Sequence, residues 1–262
     1  MSATRIPLYQ VDAFASRVFT GNPAAVCPLE QWLPDEQMQG IAAENNLAET
    51  AFFVKNGDGY HLRWFTPTVE VNLCGHATLA SAFVILNKLT PAAESVQFSS
   101  KSGKLVVTRS GDLLSLDFPA WQPTDCEVFP GLVTALGGRP VEVVASQDYL
   151  VVYATEDELR SLKPDMDVLL KADRFAVIAS APGRDADFVS RFFAPKQGIA
   201  EDPVTGRAHC TLIPYWSKRL GKSKLHAFQA SPRGGELWCE DRGERVTISG
   251  KAVQFLEGTI YL

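Results

Sequence analysis

Two stretches of this chain read as copies of one another, and an internal repeat limits the possible folds more than any other feature of the sequence. Arg63-Trp64-Phe65-Thr66-Pro67 leads after a short gap to Gly75-His76-Ala77-Thr78, and Arg191-Phe192-Phe193-Ala194-Pro195 leads to Gly206-Arg207-Ala208-His209. Each copy is a strand-like Arg-aromatic-Phe run stopped at proline, then a loop, then a glycine that opens an apolar helical segment. Two halves of similar build are expected. If the halves face each other, the two loop-to-helix junctions converge on one cleft, with Cys74, Gly75 and His76 from one and Asp202, Gly206 and Arg207 from the other. Chance recurrence of common residues is the alternative reading of so short a repeat.

With 262 residues and 46% hydrophobic content, the chain can form one large domain or two of about 130 residues, and two suit the repeat better. Extended segments alternate along it, separated by turn signals such as Asn56-Gly57-Asp58-Gly59 and Ser110-Gly111-Asp112. Helices are expected over 34–45, with Asp35 and Glu36 in the first turn, over 76–88, and over 204–220. The second of these is apolar nearly all round, which predicts burial. The simplest architecture is two mostly β domains, each wrapping a sheet around one buried helix. The boundary is placed near Trp121-Gln122-Pro123, giving domains 1–120 and 121–262, with the last C-terminal strand a candidate to complete the first.

A net charge of −5 without a basic stripe argues against nucleic-acid binding. No apolar run reaches the roughly 18 residues of a membrane-spanning helix, and the N-terminus lacks a secretory pattern, so a soluble cytoplasmic protein is expected. The cysteines Cys27, Cys74, Cys126, Cys210 and Cys239 are odd in number and dispersed, which suggests neither a disulfide framework nor a zinc site. No glycine-rich phosphate loop is present. Neither a metal nor a cofactor is expected.

Asp12-Ala13-Phe14, Gly21-Asn22-Pro23-Ala24, Glu49-Thr50-Ala51-Phe52, Phe65-Thr66-Pro67, Cys74-Gly75-His76-Ala77-Thr78 and Glu201-Asp202-Pro203-Val204-Thr205-Gly206 follow one another along the chain. In order and spacing this set resembles the phenazine-biosynthesis PhzF-like isomerases. Ala208-His209-Cys210, Pro214-Tyr215-Trp216 and Gln229-Ala230-Ser231 extend the resemblance downstream. It implies the diaminopimelate epimerase-like fold: α+β, two pseudo-symmetric domains, each a mostly antiparallel sheet or barrel rolled around a central buried helix, with the active site between them. It further implies a cofactor-independent isomerase acting on a small anionic substrate, and a homodimer.

Glu49 is the candidate acid/base. Its apolar neighbours Leu47, Ala48, Ala51 and Phe52 are expected to raise its pKa by desolvation, and the resemblance assigns the matching glutamate to proton removal from carbon and redelivery. The alternative is a solvated glutamate at a helix end. His76, at the start of a helix, is expected to be neutral, because the positive end of the helix dipole disfavours its protonation; it orients substrate or relays a proton, or else is a satisfied buried histidine. Asp202-Pro203 reads as an N-cap followed by proline at the first helical position, and the resemblance adds a substrate contact by Asp202. Gly75 and Gly206 leave backbone N–H groups open for a substrate carboxylate, and Asn22 lies in a turn that the resemblance places near the cleft.

Racemases of this fold use two thiols. Here Cys74 has no counterpart in the second motif, which weighs against two-thiol chemistry. Two departures from the family pattern stand out, Ala48 and Arg207 where serine is usual. Arg207 is expected either to bind an anionic substrate group bidentately or to pair with Glu201 or Asp202. Two other functions stay open: an amino-acid epimerase using Cys74 with Glu49, and a non-catalytic interaction protein.

Overall fold

The turn signals act as their chemistry predicts in the computed structural model, which describes residues 4–262. Strands β3 (Glu49–Asn56) and β4 (Gly59–Phe65) are joined by a two-residue turn with Gly57 at φ +57°, and β7 (Gly103–Ser110) and β8 (Leu113–Pro119) by one with Gly111 at φ +58°. Positive φ is the conformation that glycine adopts without the Cβ penalty.

The described chain divides into two units. One takes in the chain up to Asp117 together with Ser249–Leu262, and the other is Phe118–Ile248. Both are mixed α+β, rich in strand and poor in helix.

In the first unit β1 (Arg5–Ala13) pairs on one side with β16 (Ala252–Tyr261) and on the other with β2 (Asn22–Leu29), both antiparallel. The order continues through β3, β4, β6 (Ser95–Ser100), β7 and β8. Two neighbouring pairs run parallel, β2 with β3 and β4 with β6. A parallel pair needs a long crossover, and helices supply both: α1 (Asp35–Asn45) between β2 and β3, and α2 (Gly75–Val84) between β4 and β6. Helix α1 carries Asp35 and Glu36 in its first turn and stops at Asn46, in the left-handed region at φ 48°.

Eight of the ten residues of α2 are buried, from His76 through Ala82 and at Val84. The all-round apolar pattern therefore marks a core helix, and it packs against β1, β2 and β3. Its two buried hydroxyls are satisfied within the helix: Thr78 Oγ1 donates to the Cys74 carbonyl at 2.6 Å and Ser81 Oγ to that of Ala77 at 2.7 Å. The helix ends in a wider π-type turn over Ile85–Leu89.

In the second unit the order is β15 (Arg245–Gly250), β14 (Gly235–Asp241), β13 (Lys224–Gln229), β12 (Phe188–Phe193), β11 (Val177–Pro182), β10 (Tyr149–Val152) and β9 (Glu142–Ala145). Here too parallel pairs, β10 with β11 and β12 with β13, are bridged by helices. Helices α4 (Glu156–Ser161) and α5 (Met166–Leu169) lie in the first crossover and α6 (Gly206–Leu220) in the second, while α3 (Leu132–Leu136) precedes β9.

One expected boundary needs correction, and two short helices join the expected ones. Helix α6 starts at Gly206 rather than Val204, and its N-cap is Thr205, so Asp202-Pro203 does not open it. The short helices α4 and α5 were not anticipated, although Thr155 accepts from the Glu158 N–H at 3.2 Å, the signature of an N-cap.

Candidate active site

Glu49 is the first residue of β3, four positions after α1 ends, and is held beside β2 through the register Ala24↔Glu49. His76 is the second residue of α2. The fold of the first unit brings these two side chains together: His76 Nε2 lies 3.1 Å from Glu49 Oε2, with both side chains largely buried. The contact is an ion pair at close range and not a well-aligned hydrogen bond, since neither atom has an aligned partner. On the other edge of the imidazole, Nδ1 lies 3.4 Å from Cys74 Sγ and 3.3 Å from Asn22 Nδ2. An imidazolium donates from both nitrogens, so the Asn22 amide meets it correctly when its oxygen is turned toward Nδ1.

The charge states differ from those expected for isolated residues. Burial alone pushes the Glu49 carboxyl up, but the positive charge on His76 in close contact, with a smaller contribution from Cys74, outweighs it and holds Glu49 below its usual value. Burial alone would lower His76, but Cys74 and Glu49 hold it well above 6.5. Both expectations, a raised Glu49 and a neutral His76, are therefore reversed. A carboxylate in contact with the ring outweighs both the apolar neighbours of Glu49 and the helix dipole at His76. Burial pushes the Cys74 thiol up to about 11, so it is protonated at neutral pH.

Glu49, Cys74 and His76 offer donor atoms within 4.8 Å of one another, a spacing that a metal ion could bridge. The imidazole, however, meets the thiol through Nδ1 and the carboxylate through Nε2.

In the second unit, Asp202 sits in the loop before α6, and its Oδ2 accepts from Thr205 Oγ1. Gln229, wholly buried at the end of β13, clamps this turn: its Nε2 donates to the Asp202 carbonyl at 2.8 Å and its Oε1 accepts from the Thr205 N–H at 2.8 Å. Ser231 Oγ donates to the Pro203 carbonyl at 2.8 Å. The Gln229-Ala230-Ser231 motif thus shapes the loop that carries Asp202. At Gly206 a Cβ would meet nothing within 4 Å, so the packing of α6 does not itself require glycine there.

Arg207 has an intramolecular partner that was not foreseen. It pairs with neither Glu201 nor Asp202; its Nη2 donates to Asp148 Oδ1 at 3.0 Å, and Asp148 is fully buried. The guanidinium lies 4.9 Å from the ring centre of Trp121 and 4.5 Å from that of Phe175, distances at which cation–π attraction operates.

The profile of the phenazine biosynthesis-like protein family matches residues 11–258. An uncharacterized isomerase of Pseudomonas aeruginosa is 52% identical, over 98% of this chain and 99% of its own length. The chain belongs to the phenazine biosynthesis-like, or PhzF, family. A PhzF-family crystal structure from Enterococcus faecalis superposes with a TM-score of 0.97 at 50% identity, covering 99% of this chain and 100% of that one. A hydroxyproline epimerase from Agrobacterium vitis, 10% identical with a TM-score of 0.60 over 98% of this chain and 93% of that one, shares the fold alone. This PhzF-family chain is an isomerase, as its close curated relatives are named.

Within the first unit of this PhzF-family isomerase, Glu49, His76, Asn22 and Cys74 form one cluster; within the second, Asp202 and Gly206 flank one loop while Arg207 turns to Asp148. Four roles are not evident from the motifs: Asp148 as the partner of Arg207, Gln229 as a clamp, and Glu70 and Glu201 as the acidic partners of the repeated arginines Arg63 and Arg191. Those two were the detectable ones, because each follows its arginine closely, by 7 residues for Glu70 and 10 for Glu201.

Proposed function

We propose that this isomerase shifts a proton within a small carboxylate-bearing molecule without a cofactor, with Glu49 taking the proton from carbon and returning it at another position. The observation that carries this reading is the buried Glu49–His76 contact of 3.1 Å. Held ionised by His76, Glu49 is in the form that accepts a proton. Once it has accepted one, the imidazolium beside it favours release. The pair titrates as a unit, so the proton gained from substrate is shared between two groups.

His76 is proposed to hold the charge balance and Asn22 to orient the ring. Asp202 and the open backbone at Gly206 are proposed as substrate contacts, as the family resemblance implies; the lack of any contact for a Cβ at Gly206 supports close approach of a ligand. Two pseudo-symmetric domains, each rolled about a central helix, are proposed as the finer architecture, supported by the burial of α2 and α6. The epimerase alternative is disfavoured by geometry. Two-base inversion needs groups on opposite faces of one carbon, whereas Glu49 and Cys74 touch the same imidazole.

Solvent deuterium incorporation tests the assignment. A panel of small unsaturated and amino acids in heavy water is expected to acquire label at carbon with the wild type, and Glu49→Gln is expected to lose at least about a hundredfold of that rate. Label that persists in Glu49→Gln at the wild-type rate would remove Glu49 from the mechanism.

A further inference from the structure

The arginine of the repeated cassette builds the same device in each unit. In the first, Arg63 on β4 grips Glu70 with two parallel bonds, Nε to Oε1 at 2.8 Å and Nη2 to Oε2 at 2.9 Å. In the second, Arg191 on β12 grips Glu201 in the same way, Nε to Oε1 at 2.7 Å and Nη2 to Oε2 at 2.9 Å. Each guanidinium also lies near the ring of the phenylalanine two residues later, 5.1 Å from Phe65 and 5.0 Å from Phe193. The remaining nitrogen in each case reaches a helix. Arg63 Nη1 donates to Asp35, the first residue of α1, at 2.9 Å, and Arg191 Nη1 to the Leu162 carbonyl just past α4 at 2.9 Å. All four paired side chains are mostly shielded, between 12% and 16% exposed.

The glutamates stand where the chain needs an anchor. Glu70 lies in the short strand β5 (Glu70–Val71), four residues before Cys74 caps α2. Glu201 lies four residues before Thr205 caps α6 and next to Asp202, whose N–H donates to the Phe192 carbonyl at 3.0 Å. In both units a rigid strand is thus tied, through a fork that is planar and bidentate, to the loop that delivers a helix N-terminus.

We propose that Arg63–Glu70 and Arg191–Glu201 are matched positioning devices that fix the height of the His76 and Asp202 loops against their sheets. The proposal rests on the roles assigned to Glu49, His76 and Asp202. None of the four residues touches the reacting atoms; each acts through the loop that it holds.

Amide hydrogen exchange tests this without any substrate, so its outcome is separate from that of the deuterium-label assay. Arg63→Met is expected to speed exchange over residues 66–76 by roughly tenfold or more, and Arg191→Met to do so over 194–206, while the other strands of the unit keep their protection. Arg63→Lys and Arg191→Lys, which retain the charge but lose the fork, are expected to fall between and to serve if the methionine variants do not fold. By histidine NMR, Arg63→Met is also expected to shift the titration of His76. Unchanged loop exchange, or an increase spread evenly over the whole unit, would show that the pairs add only general stability and would overturn the proposal.

Discussion

At the scale of single residues, Arg207 shows how a partner remote in sequence redirects a side chain. Its type and position, beside a glycine at a helix start, suggested an anion contact. Asp148 cannot be read as its partner from the sequence, since only the pairing of β10 with β11 and the packing of α6 bring the two together. The Asp148 carboxyl is pushed up by burial and pulled back by Arg207, with a net rise. Removing the guanidinium would leave a buried acid without its cation, and loss of one partner of a buried pair costs several kcal/mol. Because Arg207 is 35% exposed, Arg207→Met is expected to lose a smaller amount, about 2–4 kcal/mol, in chemical unfolding at pH 7. The double variant with Asp148→Asn is expected to regain part of it, and an unchanged midpoint for Arg207→Met would contradict this account of the residue. Glu49 and His76 were legible as candidates from the motifs, but their charge states were not. Those depend on a contact between the start of a strand and the start of a helix that no local pattern encodes.

At the scale of elements, the helices with strong apolar patterns and the glycine turns were legible, because local residues determine them. What escaped was the exact start of α6. Asp202-Pro203 is good N-cap chemistry, yet the backbone there is committed elsewhere: the Asp202 carbonyl to Gln229 and its N–H to Phe192. The helix begins only after that turn. Inside α6, Pro214 supplies no N–H to the carbonyl of Cys210, four residues earlier. That carbonyl instead accepts from the Trp121 N–H at 2.9 Å. A proline that reads as a helix breaker is therefore accommodated by a chain segment 93 positions earlier, counting from 121 to 214, which again lies beyond any local signal. The repeated cassette, conversely, was visible as a motif while its purpose was not. The arginines stand in the motif, but their bidentate grip on Glu70 and Glu201 forms only when the chain beyond each strand folds back on it.

At the scale of the whole molecule, the two buried helical histidines push stability in opposite directions with pH. His209, on α6, donates from Nδ1 to the Thr205 carbonyl at 2.9 Å, and burial brings it down from 6.5 to about 4. The unfolded chain binds a proton at this residue that the folded chain refuses, so stability is lost as pH falls from 6.5 toward 4. At about 1.4 kcal/mol for each tenfold change in proton affinity, the loss is about 3 kcal/mol. Thermal unfolding followed between these pH values is expected to show a falling midpoint that flattens in His209→Gln; a flat wild-type profile would contradict it. Glu70, held at about 2 by Arg63 and Lys101 against its burial, adds stability that is present above pH 4.5 and is lost below it, so the part of the His209 window above pH 4.5 is the part that isolates the histidine. His76 has the reverse sign. Its folded value lies well above 6.5, so its contribution is complete below that pH and is lost only as pH rises through the folded value. The imidazolium–carboxylate pair behind that sign is the centre of the functional account, and NMR titration of the histidine ring signals tests it most directly. His76 in the wild type is predicted to remain an imidazolium well above pH 6.5 and to titrate at distinctly lower pH in Glu49→Gln, while His209 keeps its lowered value. A His76 that titrates at or below 6.5 in the wild type, and at the same pH in Glu49→Gln, would contradict it.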